Sequence, residues 1–231
     1  MRISSLLAAT ALAAVGAASA AQAATIVLDF EGINATYPTD DFAFIEDFYN
    51  GGTSSAGTSG PDVGVTFSPN ARAICLFTPG VAPGVDCGNA SRGGLGDPDS
   101  QEGGLFFDDG DAAFMTVAAG FTGGLSFFYS TLTQPASVSV FDGPDGTGNL
   151  LATLALPVTG PGCDGLPQSF CPFFPIEVSF TGTAQSVAFD APARQIGLDD
   201  VTFIGVIPLP AGLPLLLGGL AMLGLLRRRA G

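Results

Sequence analysis

The chain has 231 residues, 21 acidic and 7 basic, for a net charge of −14, yet its mean hydropathy is +0.45. All seven bases are arginine, and lysine, histidine and tryptophan are absent. This excludes a Ser-His-Asp triad, a Cys-His dyad, a His-ligated metal, a P-loop and a Schiff base; the acidity excludes a general nucleic-acid binder, and 12% charged residues with 19 Phe exclude a disordered acidic tail.

Residues 1–23 have the order of a secretory signal: Arg2, an apolar run from Leu6 to Val15, then Ala21-Gln22-Ala23. The expected cut by signal peptidase lies between Ala23 and Ala24. The apolar run is too short to span a bilayer. Residues 24–206 are read as one ectodomain. It holds all 21 acids and only Arg72, Arg92 and Arg194, so its net charge is −18. Such a body is soluble and attracts cations weakly.

Short β-rich runs follow one another through the body: Thr25–Phe30, Val63–Ser68, Ala73–Thr78, Ala113–Ala118, Leu125–Ser130, Ser137–Phe141, Leu150–Leu156, Ile176–Phe180, Ser186–Phe189 and Ile196–Ile204. Ser137 and Ser139 alternate with Val138 and Val140, the mark of a strand with one wet face. Clusters of Gly, Pro, Asp and Ser separate the runs. The expected fold is all-β, a jelly-roll-like two-sheet sandwich. Asp41–Tyr49 is the one stretch with a helical face, though a helical turn there is the minor expectation. Residues 51–64 and 79–104 are expected to be long loops, the first of them flexible. Asp142–Gly148 is expected to be a hairpin turn. It lacks the following helix and basic partners that a phosphate cradle needs.

The chain closes with Ile207–Gly231. Ile207–Leu226 is twenty uncharged residues, enough for a single transmembrane helix. Arg227, Arg228 and Arg229 follow as a cytoplasmic stop.

This tail, with Pro208-Leu209-Pro210-Ala211, an apolar span and an arginine cluster, resembles the PEP-CTERM sorting signal in its VPLPA variant, with Ile207 in place of valine. The resemblance implies recognition by an exosortase, a membrane-embedded protease, and cleavage near the motif. The inner membrane is then a transient station on the way to the cell surface or the extracellular matrix. The body also resembles an ectodomain recurrent among PEP-CTERM proteins. Phe48-Tyr49-Asn50-Gly51-Gly52-Thr53, Gly64-Val65-Thr66-Phe67-Ser68, Gly124–Ser130 and Ile196-Gly197-Leu198-Asp199-Asp200-Val201 carry that similarity. It implies fold and destination only.

Cys75, Cys87, Cys163 and Cys171 all lie in the exported body, where disulfides are permitted. Four cysteines allow three connectivities. Cys75–Cys87 and Cys163–Cys171, each bracketing a Gly/Pro-rich loop, is the simplest. A zinc site lacks C-x-x-C spacing and histidine, and a cysteine nucleophile lacks its base. Asn34-Ala-Thr36 and Asn89-Ala-Ser91 match a glycosylation pattern that is read as chance in a bacterial chain.

No cofactor is certain, and calcium is the one candidate. It takes six to eight oxygens from carboxylates and loop carbonyls. In jelly rolls of the carbohydrate-binding kind the first and last strands often pair, with a structural calcium held by an early Glu and a late Asp. That resemblance makes Glu31 and Asp199 the candidate ligands, with Asp29 or Asp200 beside them. Asp108-Asp109-Gly110-Asp111 and Asp97/Asp99 are second choices. Solvated turn acids are the competing reading, and both stay open.

The function expected is therefore that of a non-catalytic, exported, exosortase-sorted surface or matrix protein. The alternative is a module binding exopolysaccharide, with Tyr37, Tyr49 or Tyr129 stacking on sugars. A carboxylate hydrolase drawing on Glu31, Glu46, Glu102, Glu177 or one of the many aspartates is the third reading.

Overall fold

The computed structural model describes residues 22–34, 42–76, 103–163 and 166–207, all within one unit spanning Gln22–Pro208. Twelve strands are present among the described residues: β1 (Gln22–Leu28), β2 (Phe42–Phe44), β3 (Val65–Phe67), β4 (Ala71–Cys75), β5 (Gly103–Phe107), β6 (Ala112–Thr131), β7 (Ala136–Phe141), β8 (Leu150–Leu156), β9 (Pro161–Cys163), β10 (Leu166–Phe170), β11 (Phe174–Asp190) and β12 (Ile196–Ile207). The only helical element among the described residues is a 3₁₀ turn, Pro144–Gly146. The all-β expectation holds.

The two-sheet expectation needs correction. Ten strands form one continuous antiparallel ladder in the order β2-β4-β5-β12-β6-β11-β7-β8, with β1 added to β12 and β3 to β6. Hairpin β9–β10 stands apart. The ladder is continuous because two pairs of expected strands are joined. Ala113–Ala118 and Leu125–Ser130 belong to the single 20-residue β6, and Ile176–Phe180 and Ser186–Phe189 to the 17-residue β11. Their mutual register breaks between Ser179 and Thr183 and again between Ala184 and Ser186. Glycines stand opposite the breaks. Gly124 has φ +154, and a Cβ there would lie 2.6 Å from the carbonyl oxygen of Val178. Only glycine tolerates both conditions.

On one side of the break β6 pairs with β12 and the first half of β11. On the other it pairs with β3 and the second half of β11, which in turn pairs with β7. Both parts bury side chains in one hydrophobic cluster, which includes Leu28, Leu105, Phe127, Val138, Phe189 and Leu198. Alternation selects the inward residues. In β7, Ala136, Val138 and Val140 are buried while Ser137, Ser139 and Phe141 are half-buried.

Residues 42–49 go with the main expectation of no helix there, and two further expectations change. Asp41–Tyr49 contains β2 and then a turn closed by the Phe48 N–H donating to the Ile45 carbonyl. Residues 51–64 are not a loose loop. Ser54 is buried, its hydroxyl donates to the Ile33 carbonyl at 2.7 Å, and bridges join Asn50 to Asp62 and Thr53 to Ser59. β5 occupies Gly103–Phe107, where the 79–104 loop was expected to be ending.

The first and last strands do pair. Gln22 faces Ile207, Ala23 faces Val206, and Leu28 faces Val201. Gln22 and Ala23, expected to leave with the signal, are part of β1. No helix among the described residues is long and apolar enough to cross a membrane. Ala21, the expected sorting motif Pro208–Ala211, the expected span and Arg227–Arg229 lie outside the described residues.

Candidate functional site

Two features stand out, a cluster of carboxylates at the ends of β1 and β12 and a trough on the outer face of the sheet.

The cluster forms where the chain leaves β1. Phe30 turns the backbone at φ +55, and its N–H donates to the Tyr49 hydroxyl at 2.8 Å. Asp29 Oδ1 accepts from the Glu31 N–H at 3.2 Å, and Glu31 Oε1 accepts from the Gly103 N–H at 3.1 Å. Gly103 must be glycine, because a Cβ would collide with the Phe30 carbonyl. From β12 comes Asp199, fully buried, whose Oδ1 accepts from the Asp200 N–H at 2.8 Å. Burial lifts the Tyr49 hydroxyl well above its ordinary pKa, and the charges of Asp29, then Asp199 and Glu31, push it the same way. The charges of the candidate ligands Glu31 and Asp199 thus both act on one tyrosine. No group of three or more His, Cys, Asp or Glu side chains among the described residues is close enough together to hold a metal ion.

The second-choice acids are placed otherwise. Asp108 receives Arg72 at 2.7 Å and Arg194 at 3.8 Å. The Arg72 guanidinium also lies 4.6 Å and 4.2 Å from the Phe42 and Phe44 ring centres. The backbone around Asp109 is tied down by the Asn70 amide, which donates to the Asp109 and Ala112 carbonyls. Asp97 and Asp99 lie outside the described residues. Asp142 serves the expected hairpin turn, accepting from the Asn149 backbone and side chain, and these bonds hold its carboxyl below the usual range.

The tyrosines are not where sugar stacking needs them. Tyr49 and Tyr129 are buried, and Tyr37 lies outside the described residues. Asn34 is buried too, which removes it as a surface acceptor for glycosylation. Glu46 is exposed on a turn, Glu102 lies outside the described residues, Glu177 lines one open hollow of the outer face, and Asp29 and Asp200 line the other. Cys75 and Cys171 are fully buried and disulfide-bonded. Cys87 and the Cys163 side chain lie outside what is described.

The trough went unrecognised in the sequence. Val27 of β1 stands opposite Thr202 of β12, Thr202 opposite Ser126 of β6, and Ser126 opposite Glu177 of β11. These four outward residues form a row across four strands. Two adjoining open hollows, of about 330 and 440 Å³, share Ser126 and Thr202. One extends toward Thr25, Ile204 and the Gly123–Gly124 bend. The other extends toward Asp29, Asp200, Phe128 and Pro175. From Thr25 to Asp29 the floor runs about 13 Å at the usual rise of a strand. The signal was present as alternation in Thr25-x-Val27-x-Asp29 and Asp200-x-Thr202-x-Ile204. Register was needed to join these positions into a surface.

No protein-family model and no curated protein matches the chain. Among solved structures, the chain is similar to the CsCBM6-3 module from Clostridium stercorarium in complex with cellobiose, at 16% identity and a TM-score of 0.35, covering 60% of this chain and 84% of that one. It is similar to the K2 cleaved adhesin domain of Lys-gingipain, at 12% identity and a TM-score of 0.40, covering 78% and 99%. The K3 cleaved adhesin domain of Lys-gingipain from Porphyromonas gingivalis w83 matches at 15% identity and a TM-score of 0.34, covering 78% and 98%.

Proposed function

We propose that the protein is a non-catalytic, exported surface module whose all-β body binds a glycan. The observation that carries this reading is the trough, a four-strand face that mixes hydroxyls, carboxylates and exposed apolar side chains. Such a mixture suits a ligand with both polar edges and apolar faces. Retention of the purified protein on immobilised exopolysaccharides tests it. Saturable binding to at least one polymer is expected, and absence of binding across a broad panel overturns it.

The route is part of the proposal. Signal peptidase cuts between Ala23 and Ala24, and an exosortase acts at Pro208–Ala211 after Arg227–Arg229 stop transfer. The Ala23–Ala24 bond lies inside a ladder with Val206 and Gly205, so it is accessible only before β12, made last, pairs with β1. Deleting residues 208–229 should release the body from the membrane. Full-length protein persisting in the inner membrane with its tail uncut overturns the processing step. The proposed disulfides are Cys75–Cys87 and Cys163–Cys171, and non-reducing peptide mapping tests them. A calcium ion held by Glu31 and Asp199, with Asp29 or Asp200, is also proposed; as these side chains stand no three of them are close enough together to hold it, so binding would have to draw them in.

A further inference from the structure

We propose that the trough takes an uncharged, polyhydroxylated chain lying along the strand direction, gripped in its middle by Ser126 and Thr202. The inference rests on the glycan-binding reading and names the class of glycan.

Charge sets the class. Among the described residues no basic side chain lines either hollow, whereas the exposed Glu177 lines one of them. A uronate or sulfated polymer would meet no described cation there, in a body of net charge −18. A polycation would be attracted to every acidic loop of that body rather than to this face. The shared middle is itself uncharged. Ser126 and Thr202 carry hydroxyls, which both donate and accept, and Thr202 Oγ1 already donates to the Asp200 carbonyl at 3.1 Å. That orientation presents its lone pairs to donors such as sugar hydroxyls.

Apolar groups complete the fit. Val27 is 51% exposed and Ile204 55% exposed, although each sits within a regular strand pairing. Together with Phe128 and Pro175 they offer a surface to the C–H face of a pyranose ring. Both hollows are open and the floor runs on between them, so the ligand is an internal stretch of chain rather than a chain end.

The test uses the full chain in affinity electrophoresis against three kinds of probe: neutral glucans and galactans, alginate as a polyuronate, and chitosan as a polyamine. The variants are Ser126→Arg, the double Val27→Ser/Ile204→Ser, and Glu177→Gln, each first shown by thermal melting to be folded. All change outward residues. Expected is retention on a neutral polymer that survives a rise to about 0.5 M salt, where charge contacts are screened. Retention should weaken by roughly tenfold or more in Ser126→Arg and in the double variant, and stay within about twofold in Glu177→Gln. Binding confined to alginate or chitosan and lost with salt overturns the inference. So does neutral binding that is unchanged in Ser126→Arg and the double variant, which leaves the glycan-binding reading standing with its site elsewhere. Failure to bind any polymer overturns that reading together with the inference.

Discussion

The ring of Phe127 in β6 meets that of Phe189 in β11 edge to face, with centroids 5.8 Å apart and planes at 85°. In the ladder Phe127 stands opposite Ile176, and Phe189 opposite Ala113. The two rings are therefore not sheet neighbours, and their contact spans the core between the two parts of the ladder.

Phe189→Ala should cost about 3–5 kcal/mol, from lost transfer energy plus the cavity left behind. Phe128→Ala, next to Phe127 but facing outward, should change stability by no more than about 0.5 kcal/mol. Chemical denaturation of the two variants checks the contrast. Equal losses would mean that Phe189 does not close the core.

Tyr49 accepts a hydrogen bond from the buried Phe30 N–H. Tyr49→Phe leaves that donor unpaired, at a cost of about 1–3 kcal/mol. The pKa of Tyr49 is raised in the folded state, first by burial and then by Asp29. Its contribution is complete below the ordinary tyrosine value near 10 and is lost as pH rises beyond it. Wild-type stability should therefore fall at alkaline pH more steeply than that of Tyr49→Phe, as melts at several pH values would show.

Asp190 is half-buried and accepts from Ser139 Oγ at 2.8 Å and Ser137 Oγ at 3.4 Å. Burial raises its pKa, and the two hydroxyls only partly offset this. A raised carboxyl contributes fully at low pH, and that contribution is lost as pH climbs from the ordinary value through the raised one. Asp190→Asn keeps an acceptor and removes the charge. It should melt at or above wild type near about pH 7, with the difference closing near about pH 3. A variant less stable than wild type at neutral pH would contradict this.

Gly124→Ala should destabilise by roughly 1–3 kcal/mol, since alanine would be strained at this φ and its Cβ would press on the Val178 carbonyl. Gly57, also at positive φ but with open space around it, should cost less on the same change. Paired melting curves decide the order.

For calcium, adding the ion should raise the melting temperature and a chelator should lower it, in proportion to the logarithm of its concentration. Asp29→Asn should blunt the response while leaving the metal-free fold intact. An identical melt with calcium and with chelator would remove the ion from the proposal.

The elements most legible in advance were those with clean alternation. Ser137–Phe141 and Leu150–Leu156 lie within β7 and β8, with the expected turn between them. Resemblance pairs Glu31 with Asp199; in the structure the charges of both act on Tyr49, and no three carboxylates among the described residues are close enough together to hold a metal ion. The long strands were misread as separate because Gly120, Gly123 and Gly124 punctuate a sequence whether they end a strand or bend it. Arg72 showed no sign in the sequence of lying between Phe42 and Phe44 while paired with Asp108, since these contacts join residues from separate strands.

By itself the sequence determined the chemistry available: an acidic body without histidine or lysine, strands with one wet face, and two distinctive ends. Those properties are local, set by side-chain type and by a period of two. Tertiary structure decided which wet positions meet. Val27, Thr202, Ser126 and Glu177 come from four strands far apart in the chain, and only the antiparallel register sets them in one row. A shift of one residue in any strand would have turned its member of the row inward to the core.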